Sequence, residues 1–160
     1  MNDKTVSEMR SEVIESFIGL EACIDAVIGI HYLGKLSMAF YEEVLYDEYF
    51  SFGLKARILE KILCADGDPQ PALIQRLRRL NNIRNIFAHC GVQRYDSATK
   101  RSYTPNPRKL DTALDFGELH SEFVGGLAEL RDYLLEAATR KGAVIKLKEG
   151  GRWVDFASVG

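Results

Sequence analysis

In the stretch Asn82-Ile83-Arg84-Asn85-Ile86-Phe87-Ala88-His89, a guanidinium, two amides and an imidazole fall within about two helical turns. At 100° per residue, Leu73, Leu77, Leu80 and Phe87 share one apolar stripe, and Arg84 falls in its middle. A buried guanidinium without a partner is costly, so Arg84 must meet a carboxylate, a second protomer or a bound anion. Glu21 and Asp25 are candidate carboxylates within the chain, and snorkelling to solvent is the other plain outcome. On the opposite side Arg78, Asn82, Asn85 and His89 follow at i, i+4, i+7 and i+11. They form a ladder of donors ending in an imidazole, with Asn85 in hydrogen-bond reach of His89. A solvated polar face would show the same pattern.

A second group lies just downstream. Arg94, Tyr95, Lys100, Arg101 and Tyr103 interleave basic and aromatic residues, a pattern that suits single-stranded RNA through phosphate contacts and stacking. A solvated hairpin has the same composition. Charge is uneven along the chain: residues 1–54 carry 3 Lys/Arg and 10 Asp/Glu, residues 55–109 carry 12 and 4, and residues 110–160 carry 6 and 9. The net charge of −2 therefore hides a basic middle. That middle points to an anionic partner, unless the acidic flanks pack beside it and cancel it. His31 and His120 fall on or beside apolar stripes, where a histidine is usually a satisfied core residue. His89-Cys90 is adjacent rather than at ligand spacing, which argues against zinc. No phosphate loop, dinucleotide fingerprint or nucleophile elbow is present, so no metal and no cofactor is expected.

Helices must position these residues. Val13, Phe17, Leu20, Ile24 and Val27 recur every three or four residues in a helix from about Ser7 to Leu33. A second helical region runs from about Leu36 to Leu63 and breaks near Phe50-Ser51-Phe52-Gly53, with Ser51 as a cap. The third runs from the Ala65–Pro71 loop, where Asp68 is a plausible cap, to about His89. The fourth spans about Leu114 to Arg140, with Phe116, Leu119, Phe123, Leu127, Leu130 and Leu134 on one stripe. Gly125-Gly126 inside it points to close approach of another helix, such as one at a dimer interface. Val92–Thr104 and Ala143–Phe156 read as hairpins, the second turning at Glu149-Gly150-Gly151. The 160 residues make one domain, with a helical core over about 7–140 and a hairpin over about 143–157.

Other features bound the class. The apolar stretch Phe17–Leu33 is interrupted by Glu21, Asp25 and His31 and is no membrane span. The start of the chain lacks the order of a signal peptide, and Cys23, Cys64 and Cys90 have no paired spacing. A cytoplasmic protein in a reducing compartment is expected, with no membrane partner.

The stretch from Asn82 to His89 resembles the signature of the HEPN superfamily, Arg-polar followed after a few residues by His. The segment Phe52-Gly53-Leu54-Lys55-Ala56-Arg57-Ile58-Leu59-Glu60-Lys61-Ile62-Leu63 is similar to the helix preceding that signature in many members. The likeness covers about residues 10–140 as a helical pattern. It implies an all-α, HEPN-like four-helix bundle that forms a homodimer, with the Arg and His of both protomers lining a cleft. It also implies RNA cleavage without metal. His89 would act as general base on a 2′-hydroxyl or as general acid on the leaving 5′-oxygen, work that an ordinary histidine pKa of about 6.5 suits. Arg84 would stabilise the in-line phosphorane, and Asn85 would orient the imidazole or bind a phosphate oxygen. Arg78, Asn82, Arg94, Lys100 and Arg101 would hold the RNA.

The same resemblance sets limits. In some toxin members a tyrosine two residues after the His is modified by an antitoxin partner, and here that position is Gly91. Other members are non-catalytic regulators or assembly modules. Arg84 and His89 also point about 140° apart on an ideal helix. Either the last turn before Cys90-Gly91 unwinds, or Arg84 serves a site completed by another element or protomer. Three readings follow: a metal-independent endoribonuclease used in defence or as a toxin, a non-catalytic dimeric regulator or nucleic-acid-binding module, and a structural bundle with Arg84 paired internally.

Overall fold

The computed structural model describes residues 4–35, 37–107, 109–147 and 154–158. The first helix, α1 (Val6–Leu33), starts at a reciprocal cap: Glu8 N–H donates to the Thr5 hydroxyl, and Thr5 N–H donates to the Glu8 carboxylate. It ends at Gly34, whose φ of 68° lets its N–H reach the Ile30 carbonyl. Early in α1 only the stripe of Val13, Phe17 and Leu20 is buried, whereas every residue from Cys23 to Ile30 is. A helix covered all round must have neighbours on every side. Here α1 packs on three later helices: α3 (Phe52–Ala65), α4 (Pro71–His89) and α5 (Phe116–Arg140).

Between α1 and α3 lies a short turn of helix, α2 (Met38–Phe40), which runs into a π-helical turn, Tyr41–Leu45. The Tyr41 hydroxyl fastens this segment to α1 by donating to the Ala22 carbonyl at 3.0 Å. The second helical region thus ends before Phe50. Asp47 explains the stop, since its side chain accepts from Tyr49 N–H and its carbonyl from Phe50 N–H. Leu36, the expected start, is outside the described residues. Ser51 caps α3 as its position suggests, accepting from Leu54 N–H. Asp68, by contrast, does not cap α4. Its carboxylate accepts from the Gln70 side chain, the Tyr133 hydroxyl and Arg140, which ties the loop to the far end of α5. Gln70 takes the cap position without a side-chain bond, and Pro71 opens the helix.

The Val92–Thr104 hairpin forms from β1 (Arg94–Asp96) and β2 (Arg101–Asn106), with Tyr95 opposite Ser102. The Asp96 carboxylate accepts from the N–H groups of Ala98 and Thr99 to close its turn, where Lys100 adopts φ 55°. A third strand, β3 (Lys109–Asp115), extends the hairpin into a three-stranded antiparallel sheet, which corrects the expectation of a helix from about Leu114. Leu114 pairs with Thr104 in the sheet, and Asp115 is the cap of α5, accepting from the N–H groups of Gly117 and Glu118. The last hairpin pairs β4 (Ala143–Leu147) with β5 (Val154–Ser158). Its expected turn at Glu149-Gly150-Gly151 lies outside the described residues.

The protein is thus mostly helical, with a small antiparallel sheet. Phe17, Phe87, Phe116 and Phe123 are the largest side chains sealed in the core, with the Phe87 and Phe116 rings 5.2 Å apart. Gly126 sets how closely α4 and α5 approach, since a Cβ there would stand 3.3 Å from Leu80 Cδ2. The close contact suggested by Gly125-Gly126 is therefore made within this chain at Gly126, while Gly125 faces open space. No helix among the described residues is long and apolar enough to cross a membrane.

Candidate functional site

Arg84 is half-buried on the side of α4 that faces α1, within the stripe drawn through Leu73, Leu77, Leu80 and Phe87. The fully enclosed line on α4 is Ile74, Leu77, Leu80, Ile83 and Phe87, and Leu73 is only half-buried. The Arg84 Nη1 donates to the side-chain Oδ1 of Asn85 at 3.0 Å, and its Cζ lies 5.6 Å from the centre of the Phe17 ring. Its Nε is buried with no acceptor among the described residues. The side chain borders a cavity of about 390 Å³ that Phe17, Tyr46, Phe52 and Lys55 also line.

The expected internal partners of Arg84 are taken. Lys55, buried with Asp25, lies 2.8 Å from Asp25 Oδ2 and 2.8 Å from Glu21 Oε1. Its ammonium also stands 5.5 Å from the centre of the Tyr46 ring. Burial pushes the Asp25 carboxyl up to about 6, against the pull of the Lys55 hydrogen bond and charge. Burial alone would lower the Lys55 ammonium, but the hydrogen bonds it donates to Asp25 and Glu21 raise it overall. The internally paired reading of Arg84 with these carboxylates therefore does not occur; Lys55 fills that role.

His89 is the last residue of α4, and its side chain is exposed. The helix does not unwind before it, since the Cys90 N–H still donates to the Ile86 carbonyl at 2.8 Å. Arg84 and His89 accordingly keep the angular separation of an ordinary helix and do not converge within one protomer. Among the described residues no hydrogen bond joins Asn85 to His89; Asn85 is turned to Arg84 instead. Sequence reasoning missed Arg10 of α1, whose Nη2 donates to the Cys90 carbonyl at 3.0 Å and pins the end of α4 one residue beyond His89. Its only signal was a lone arginine among the acidic residues of α1, too common a pattern to single it out.

The residues assigned to RNA fall on α4 and on the β1–β2 hairpin. Arg78 pairs with Glu60 at 3.0 Å, and Asn82 is half-buried with contacts of its own. Arg94 lies over the Tyr103 ring, Lys100 is exposed at the hairpin turn, and Arg101 reaches both Asp115 and Glu118. Acid from the flanks meets much of the basic middle: Glu129 binds Arg76 and Glu122 binds Arg79. Among the described residues of the basic middle, Arg57, Lys61, Arg84, Arg94, Lys100 and Lys109 stand outside any ion pair.

The other histidines are held locally. His120 is buried with Nε2 2.8 Å from Glu12, and His31 Nδ1 lies 3.1 Å from the Lys141 ammonium. Burial pushes the Cys23 thiol up to about 12, away from nucleophilic use. Among the described residues no cluster of His, Cys, Asp and Glu could hold a metal ion. No family model matches the chain, and no curated protein or solved structure matches it significantly.

Proposed function

We propose that this protein is a metal-independent endoribonuclease of the HEPN type, active as a homodimer in the cytoplasm as a toxin or defence component. In this reading α1, α3, α4 and α5 are the four-helix bundle of that superfamily, and the two β elements decorate it. One observation carries the reading. Asn85 and Phe17 hold the Arg84 guanidinium in place, and no carboxylate among the described residues pairs with it, while Lys55 holds Glu21 and Asp25. A positioned cation without a counter-charge suits a phosphodiester. The exposed His89 on the same helix brings the acid or base. The divergence of the two favours a composite site, with residues from both protomers meeting at one phosphate. An antitoxin or regulatory protein would act by covering that cleft.

That same divergence also favours a second reading, a non-catalytic dimeric regulator or nucleic-acid-binding module. Activity separates the two. Purified protein incubated with single-stranded RNA and tRNA in EDTA is expected to cut, leaving a 2′,3′-cyclic phosphate. His89→Ala should lower the rate by about 10²–10⁴-fold. Arg84→Ala should cost a comparable factor, and the double variant should lose less than the product of the two. A folded wild type that dimerises and binds RNA without cutting it is the regulator. A monomer at tens of micromolar that leaves RNA uncut and unbound overturns both readings.

A further inference from the structure

The cavity beside Arg84 has a chemistry of its own. Phe17, Tyr46, Phe50 and Phe52 supply aromatic wall beside polar and charged residues, and its volume of about 390 Å³ suits a small molecule. Among the described residues, Arg84 makes one side-chain hydrogen bond, from Nη1, which leaves the Nε edge without an acceptor. That edge carries two parallel N–H donors, the geometry a carboxylate accepts in bidentate fashion.

Charge narrows the class. Lys55 is saturated by Glu21 and Asp25, so Arg84 is the one cation on the cavity that no described carboxylate pairs. Asp47 and Glu21 border the same cavity. One negative charge on the ligand would neutralise Arg84, whereas a second would face these carboxylates.

We propose that this cavity binds a small organic monocarboxylate with a flat apolar body. The carboxylate pairs with the Arg84 guanidinium where it borders the cavity, and the body lies among Phe17, Tyr46 and Phe52. The proposal goes beyond the ribonuclease reading and does not depend on it, since neither RNA nor His89 takes part in the binding. Occupancy would also withhold Arg84 from a phosphate, so the ligand would compete with RNA wherever Arg84 serves both.

The test titrates the full chain with 3-phenylpropanoate, 3-phenylpropanamide and phenyl phosphate, following the Arg84 Nε–H resonance and the backbone amides by NMR. The carboxylate should shift the Nε–H signal saturably and bind at least about tenfold more tightly than the amide, the scale of a hydrogen bond to a charged group. Arg84→Gln should lose that preference. Ile18 borders the cavity and is 53% exposed, so its variants should fold like wild type. Ile18→Glu should weaken carboxylate binding several-fold and Ile18→Lys should strengthen it. Equal binding of acid and amide, an Nε–H signal that does not move, or indifference to charge at Ile18 would overturn the proposal. Tighter binding of phenyl phosphate than of the carboxylate would also overturn it and return the cavity to phosphate chemistry.

Discussion

On the outer face of α4, Arg76 and Arg79 reach across to Glu129 and Glu122 of α5; on the side facing the cavity, Arg84 reaches no described carboxylate. The outer pairs are half-exposed, and water already screens most of what they gain. The charges inside the cavity wall are different. Lys55 and Asp25 have almost no exposure, and each is tolerated there only because the other is present. The outer arginines can therefore exchange a glutamate for another anion at little cost, while the inner pair is fixed. Arg84 belongs to neither class, since it is positioned yet unneutralised.

Breaking the inner pair should have the largest effect. Lys55→Met leaves Asp25 buried without its cation and is expected to cost about 3–5 kcal/mol at pH 8 in urea denaturation. At pH 5, where Asp25 takes up a proton, the loss should be smaller. If the loss is the same at both pH values, the buried pair is not what Lys55 contributes.

Asp25 itself gives a pH signature. Its folded-state value of about 6 lies above the ordinary 3.8, so unfolding releases a proton in that window. Stability should then fall as pH rises from about 4 to about 6, by up to about 3 kcal/mol relative to Asp25→Asn. A wild-type-minus-variant difference that is flat, or that rises with pH, would remove the burial argument.

Arg84→Met should sit well below both, within about 1 kcal/mol of wild type by thermal or urea unfolding, because it removes an unsatisfied donor and breaks no ion pair. A loss of about 3 kcal/mol would mean that Arg84 is a structural cation after all. The smallest effect belongs to the outer face. A double-mutant cycle on Arg79→Ala and Glu122→Ala should give a coupling of about 0.2–1 kcal/mol that fades in salt.

The parts of this fold that local chemistry dictates were readable in advance. The stripe of Val13, Phe17 and Leu20, the Ser51 cap and the Val92–Thr104 hairpin each depend on residues a few positions apart. Arg84 also stood out, because an arginine among leucines breaks the helical period. What could not be read was decided between distant segments. Lys55 looks like an ordinary polar residue of α3, and only the packing of α1 on α3 shows that it, rather than Arg84, takes Asp25 and Glu21. Strand β3 was hidden because Pro105 and Pro107 interrupt the pattern before it. In the structure Pro105 lies beyond the last residue that β1 pairs, and the β2–β3 register shifts after it. Arg10 was invisible for the same reason as Lys55: its partner is a carbonyl eighty positions away.

The enclosure of α1 from Cys23 to Ile30 has a consequence for how the sequence can change. A helix with one free side can absorb an inserted residue by letting its polar face swing. This one has no free side to swing into. One residue inserted between Phe17 and Cys23 would turn everything after it by about 100° and advance it by about 1.5 Å. Asp25 would leave Lys55, and the small Gly29, which has the Phe40 ring 4.0 Å from where a Cβ would stand, would give way to a larger neighbour. The register of α1 is therefore the least forgiving dimension of this protein, and gains or losses of length should be confined to its connecting segments.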